Sequence, residues 1–222
     1  MKIFRKISAF LLIFSFLLLS ACSFGENKED EDSLFPYIVS EGIVVEKAYS
    51  YSGAFPEDGS FTEKENVLAL KVTNQSEVHV RLLKIYVTTN EKEMVFEITT
   101  LPAGMSVNVF EKNAQGLSEN EEIVEIKSAN RVDFEDEIGI HRGTFELYVN
   151  DKTINIKNVS NADIESDIYL YYKKKDKDGS YFGGITFRTK AGGLKSDELK
   201  QLPAAHFSFS DSEIVFIDYI DK

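Results

Sequence analysis

Three observations predict an all-β protein built as two tandem antiparallel β-sandwiches. From Tyr37 onward short β-rich runs alternate with polar turns, and no apolar 3.6-residue period is sustained. A set of segment types then recurs in the same order along the chain, the mark of an internal repeat. Strands at roughly ten-residue spacing suit sandwiches or barrels.

The first set of strands is expected at Ile43 to Tyr49, Val67 to Thr73, Val78 to Thr88, Met94 to Thr99, Met105 to Phe110 and Glu122 to Ile126. The second set is expected at Thr144 to Val149, Thr153 to Lys157, Ile164 to Tyr172, Gly184 to Thr189, His206 to Phe209 and Glu213 to Tyr219, with Ser196 to Leu202 as the one helical turn.

The repeat rests on four pairs. Val72-Thr73-Asn74-Gln75-Ser76 is echoed by Ile156-Lys157-Asn158-Val159-Ser160, and Ile85-Tyr86-Val87 by Ile168-Tyr169-Leu170. Leu101-Pro102-Ala103-Gly104 is matched with Leu202-Pro203-Ala204-Ala205, and Glu122 to Ile126 with Glu213 to Ile217. These pairs divide the folded part into residues 36–128 and 129–222.

Each unit has its own physical logic. Asn74-Gln75-Ser76 and Asn158-Val159-Ser160 end strands with short polar side chains that bond nearby backbone and favour a turn. The next strand buries alternate residues, Ile85 and Val87 in one unit and Ile168, Leu170 and Tyr172 in the other, so Tyr86, Tyr169 and Tyr171 fall on the opposite face. Asp176 to Ser180 shares residues with a calcium loop, but Gly179 is fourth from Asp176 and Phe187 holds position twelve. A hairpin turn that uses Asp-Gly for positive φ explains the same residues.

At the N-terminus, Lys2, Arg5 and Lys6 precede the apolar run Ile7 to Leu19, which small residues close. Positive, apolar, then small is the layout of a secretory signal, and the run is shorter than the ~20 residues that cross a bilayer. Leu19-Ser20-Ala21-Cys22 resembles the lipobox of bacterial lipoproteins, and Cys22 is the sole cysteine of the chain. The resemblance implies cleavage of residues 1–21, a lipid on Cys22, and attachment to the outer side of the cell membrane; two or three acyl chains anchor stably. The other reading is an ordinary signal cut near Ala21 with a free thiol. Residues 22–35, with the run Glu29-Asp30-Glu31-Asp32, have little apolar surface to bury and read as a flexible acidic tether.

Loss of the signal leaves 22 basic residues against 37 acidic ones, a net charge of −15. That balance argues against nucleic acid and against electrostatic adhesion to anionic lipid. A single cysteine excludes an intramolecular disulfide, so stability rests on burial.

Asn158 to Phe209, with its Tyr-Leu-Tyr-Tyr strand, Asp-Gly hairpin, later Leu-Pro and Phe-x-Phe, is similar to the FxLYD-like modules of bacterial surface lipoproteins, and Asn74 to Phe110 looks like a divergent copy. The resemblance implies an immunoglobulin-like architecture in each unit, an extracytoplasmic accessory or adhesive role, and no catalytic residues.

Nothing in the sequence points to catalysis, cofactor or metal. His79, His141 and His206 lack the i, i+4 spacing of a zinc helix, and no nucleophile elbow or phosphate loop is present. The expected function is therefore a non-enzymatic, membrane-anchored interaction module with a protein or envelope partner, and Tyr86, Tyr169 and Tyr171 are the candidate patch. Two alternatives are a solute-binding lipoprotein that serves a transporter and, more remotely, release of Phe14 to Ala21 as a signal-derived pheromone.

Overall fold

A computed structural model describes residues 34–219, so the signal, Cys22 and most of the tether lie outside the described residues. The first half contributes β1 (Tyr37–Ser40), β2 (Ile43–Phe55), β3 (Thr62–Asn74), β4 (Val80–Thr89), β5 (Glu93–Leu101), β6 (Ser106–Phe110) and β7 (Ile123–Asp133). The second contributes β8 (Phe145–Asn150), β9 (Thr153–Asn158), β10 (Tyr169–Lys174), β11 (Tyr181–Phe182), β12 (Phe187–Lys190), β13 (Leu199–Pro203) and β14 (Ser212–Asp218). All regular structure among the described residues is β.

The strand order repeats. In the first half β2-β3-β6 form one sheet, extended by β1 and β11, and β5-β4-β7 form another; in the second half the sheets are β8-β9-β13 and β12-β10-β14. Alternation along each strand decides what is buried. Leu83, Ile85 and Val87 of β4 are fully buried against Leu70 and Val72 of β3, while Lys84, Tyr86 and Thr88 stay half exposed. Ile154, Ile156, Leu170, Leu202 and Ile217 build the corresponding second core. Each such side chain gains roughly 1.5–3 kcal/mol from leaving water.

The two Asn-x-Ser corners have one hydrogen-bond set. Asn74 is fully buried and donates through Nδ2 to the carbonyls of Val78 at 2.8 Å and Leu101 at 3.0 Å. Its Oδ1 accepts from the backbone N–H of Ser76 at 3.1 Å and the Ser76 hydroxyl at 2.7 Å. Asn158, also fully buried, donates to Ala162 at 2.8 Å and Leu194 at 3.2 Å, and accepts from Ser160 N–H at 3.0 Å and its hydroxyl at 2.7 Å.

That correspondence corrects the third pair of the repeat. The Asn74 carbonyl accepts from Gly104 N–H, and the Asn158 carbonyl accepts from Asp197 N–H, so Leu101–Gly104 corresponds to Leu194–Asp197 and not to Leu202–Ala205. The turn requires a left-handed residue: Gly104 has φ 73° and Asp197 φ 62°, a conformation that a short polar side chain tolerates. The segment expected as a helical turn is thus a turn followed by β13, whose Leu202 pairs with Ile154 and is buried. The strand expected at His206 to Phe209 is a pair of turns, because β9 has already taken β13 as its neighbour. The Asp-Gly turn forms as expected, with Gly179 at φ 85°.

The halves interlock through several elements, and residues from Leu34 onward cluster as one unit. Strand β11 leaves the second half to pair in parallel with β6, placing Tyr181 in the first core and Phe182 5.3 Å from Phe110. Lys71 and Asp178 form an ion pair at 2.9 Å. Gly184 lies so close to β5 that an added Cβ would sit 1.9 Å from the Glu97 carbonyl oxygen, so only glycine fits.

Candidate recognition cleft at the junction

At the centre of the junction is a fully buried lysine. The Lys173 ammonium donates to the carbonyls of Thr99 and Gly184, each at 2.9 Å, to the carbonyl of Ile185 at 3.0 Å, and to the Thr186 hydroxyl at 3.2 Å. Glu57, from the β2–β3 hairpin, accepts the backbone N–H of Phe110 at 3.0 Å and of Gly184 at 2.8 Å. Burial pushes the Lys173 ammonium down to about 7, and the nearby Glu57 charge opposes this. Burial likewise pushes the Glu57 carboxyl up, against the pull of the Gly184 and Phe110 N–H groups and of Lys173.

Beside this closed centre the sheets diverge and leave a cleft of about 920 Å³. One wall is the outer face of β4, β5 and β7, at Leu82, Thr99 and Val132; the other is the outer face of β10 and β14, at Tyr171 and Phe216. Tyr171 and Phe216 are cross-strand partners whose rings stack in parallel, 4.2 Å between centroids and 5° between planes. Phe134 meets Phe216 edge-on at 5.3 Å, so three rings line one side.

The remaining wall is acidic. Asp133, Glu135, Asp136, Glu137 and Asp218 line the cleft against one arginine, Arg81. Asp133 is paired with Arg131 at 2.8 Å and Glu137 with His79 at 3.1 Å. Glu135, Asp136 and Asp218 are exposed and have no ion-pair partner among the described residues.

The three tyrosines singled out by alternation are all half-buried. Tyr171 lines the cleft. Tyr169 is on the same face of β10, but its ring is covered by Arg188 at 5.2 Å and Lys190 at 5.6 Å. Tyr86 belongs to β4, four residues from Leu82 and so about 13 Å along the strand. Cys22 lies outside the described residues.

The histidines have local roles. His79 Nδ1 accepts the Ala103 N–H at 3.1 Å, His141 Nε2 is 3.2 Å from the Ile217 carbonyl, and His206 packs on Phe187 and Phe61. Among the described residues no three His, Cys, Asp or Glu side chains group as a metal site. Sequence reasoning passed over Phe216, Phe134, Glu57 and Lys173. The first two sit on strand and linker positions that no local pattern singles out, and Lys173 is the first of three consecutive lysines before the Asp-Gly turn.

Comparison with family models, with curated proteins and with solved structures finds no match for this chain.

Proposed function

We propose that the protein is a bacterial lipoprotein, anchored through a lipid on Cys22 to the outer side of the cell membrane, whose two immunoglobulin-like units act as a non-enzymatic recognition module for a protein partner in the envelope. The lipobox and acidic tether support the anchoring. The repeated strand order and the paired Asn74 and Asn158 corners support a duplicated sandwich. The observation that carries the recognition reading is the junction cleft, where both halves contribute walls and where aromatic rings lie beside unpaired acids.

The same cleft favours solute binding as a second reading. Its walls are tied by Lys173, by the β6–β11 pairing and by the Lys71–Asp178 pair, an arrangement that suits a fixed surface better than lobes that close around a solute.

The test is made in cells. Wild-type protein is expected to take up a clickable palmitate analogue, to fractionate with membranes, and to yield one discrete heteromeric species on surface crosslinking. Cys22→Ala is expected to lose label and membrane association together. An unlabelled, membrane-free wild type would contradict the anchoring, and a small molecule retained through purification with no crosslinked protein would favour the solute reading.

A further inference from the structure

The geometry points to the guanidinium of an arginine on a protein partner as the group that the junction cleft receives. This rests on the recognition reading above and names its chemistry. Tyr171, half-buried in the cleft lining and backed by the parallel ring of the buried Phe216, offers a planar π surface of the kind on which a guanidinium stacks, which suits arginine better than the compact ammonium of lysine. Five ring–cation contacts occur elsewhere among the described residues, including Arg188 and Lys190 over Tyr169, yet none involves Tyr171, Phe216 or Phe134. The aromatic stack that lines the cleft thus has no cation of its own among the described residues.

Charge leads to the same group. Asp218 belongs to the same strand as Phe216 and points to the same side, two residues on, while Glu135 and Asp136 rise from the linker that follows Phe134. None of the three has an ion-pair partner among the described residues, and Arg81 is the single full cation among the described residues of the lining. An incoming guanidinium therefore finds a stacking surface and carboxylates without ion-pair partners among the described residues in one 920 Å³ space, beside the Lys173 centre that ties the two halves.

The probe is a short neutral-flanked peptide, acetyl-Gly-Arg-Gly-amide, titrated into the purified lipid-free secreted chain and followed by proton NMR of the aromatic rings. The citrulline peptide, of equal shape but uncharged, and spermidine, a flexible cation, are the two controls. The arginine peptide is expected to shift the Tyr171 and Phe216 ring signals and the citrulline peptide to leave them in place. Asp218→Asn, and the pair Glu135→Gln with Asp136→Asn, change exposed side chains and are each expected to weaken binding about fivefold. Equal binding of the two peptides would overturn the assignment. So would spermidine binding at least as tightly as the arginine peptide, because that marks charge attraction without stacking. If the arginine peptide fails while a partner still crosslinks on cells from the cleft, the guanidinium assignment alone falls; if no partner crosslinks at all, the recognition reading falls first.

Discussion

Lys173 of the second half donates its ammonium hydrogen to the carbonyl oxygen of Thr99 in the first half, 2.9 Å away in space and 74 residues away in sequence. An amino group, fully buried and surrounded by oxygens from both halves, makes the junction a specified contact and not a loose apolar touch.

Lys173→Met should therefore destabilise the whole folded unit. The methionine fills the volume but leaves the carbonyls of Thr99, Gly184 and Ile185 without their donor, for a loss of about 2–4 kcal/mol. Denaturant unfolding of the two proteins measures it. A change of under about 0.5 kcal/mol would mean that water replaces the ammonium at no cost.

The same lysine sets a pH dependence. Its folded value of about 7 lies below the ordinary 10.5, so between those limits the unfolded chain binds a proton that the folded chain does not. Stability from this group then rises with pH, by at most about 1.4 kcal/mol per unit. Wild type should gain on Lys173→Met as pH goes from roughly 8 to 10. A constant difference over that range would show that the lysine remains an ammonium in the fold.

The paired corners predict paired costs. Asn74→Ala and Asn158→Ala each remove two donated and two accepted hydrogen bonds at a fully buried site, and each should cost about 2–4 kcal/mol. Thermal unfolding of the single variants and the double variant checks this. A mild effect at one corner beside a severe effect at the other would show that the two turns, though alike in geometry, are not alike in importance.

Acid should unfold the protein in part through Glu121. Its side chain is out of contact with solvent, accepts from the Thr89 hydroxyl at 2.6 Å and Ser118 N–H at 3.0 Å, and pairs with Lys92 at 3.2 Å. These bonds hold its carboxyl at about 2, below the ordinary 4.5. Its stabilisation is present above 4.5 and is lost as pH falls from 4.5 towards 2. Glu121→Gln should flatten the stability profile in that window, and an unchanged acid limb would remove Glu121 from the account.

Much of the fold was legible because it depends on neighbours in sequence. Alternation placed Ile85, Val87, Ile168 and Leu170 inside, and the Asn-x-Ser turns marked strand ends whose hydrogen bonds reach only a few residues on one side. The Leu-Pro match misled because Pro203 looks like a turn residue, whereas the physical requirement is a left-handed backbone at Gly104 and Asp197. The junction was not legible for a different reason. Glu57 meets Gly184 across 127 residues, and Lys173 reaches Thr99 across 74, so no local pattern distinguishes that lysine from Lys174 beside it. The cleft shares this property: Tyr171 was visible by register, but Phe134, Phe216 and the acids join it only when both halves are in place.

The most direct test of the central claim, that a tethered body presents its junction cleft to a partner, is photocrosslinking on intact cells from two positions in the full-length protein. A photoreactive residue replaces Tyr171 in the cleft or the exposed Tyr148 on β8, away from it. The account predicts a discrete protein adduct in the membrane fraction from position 171 and none of that mass from position 148. The same adduct from 148 alone, or no adduct from 171, would contradict it.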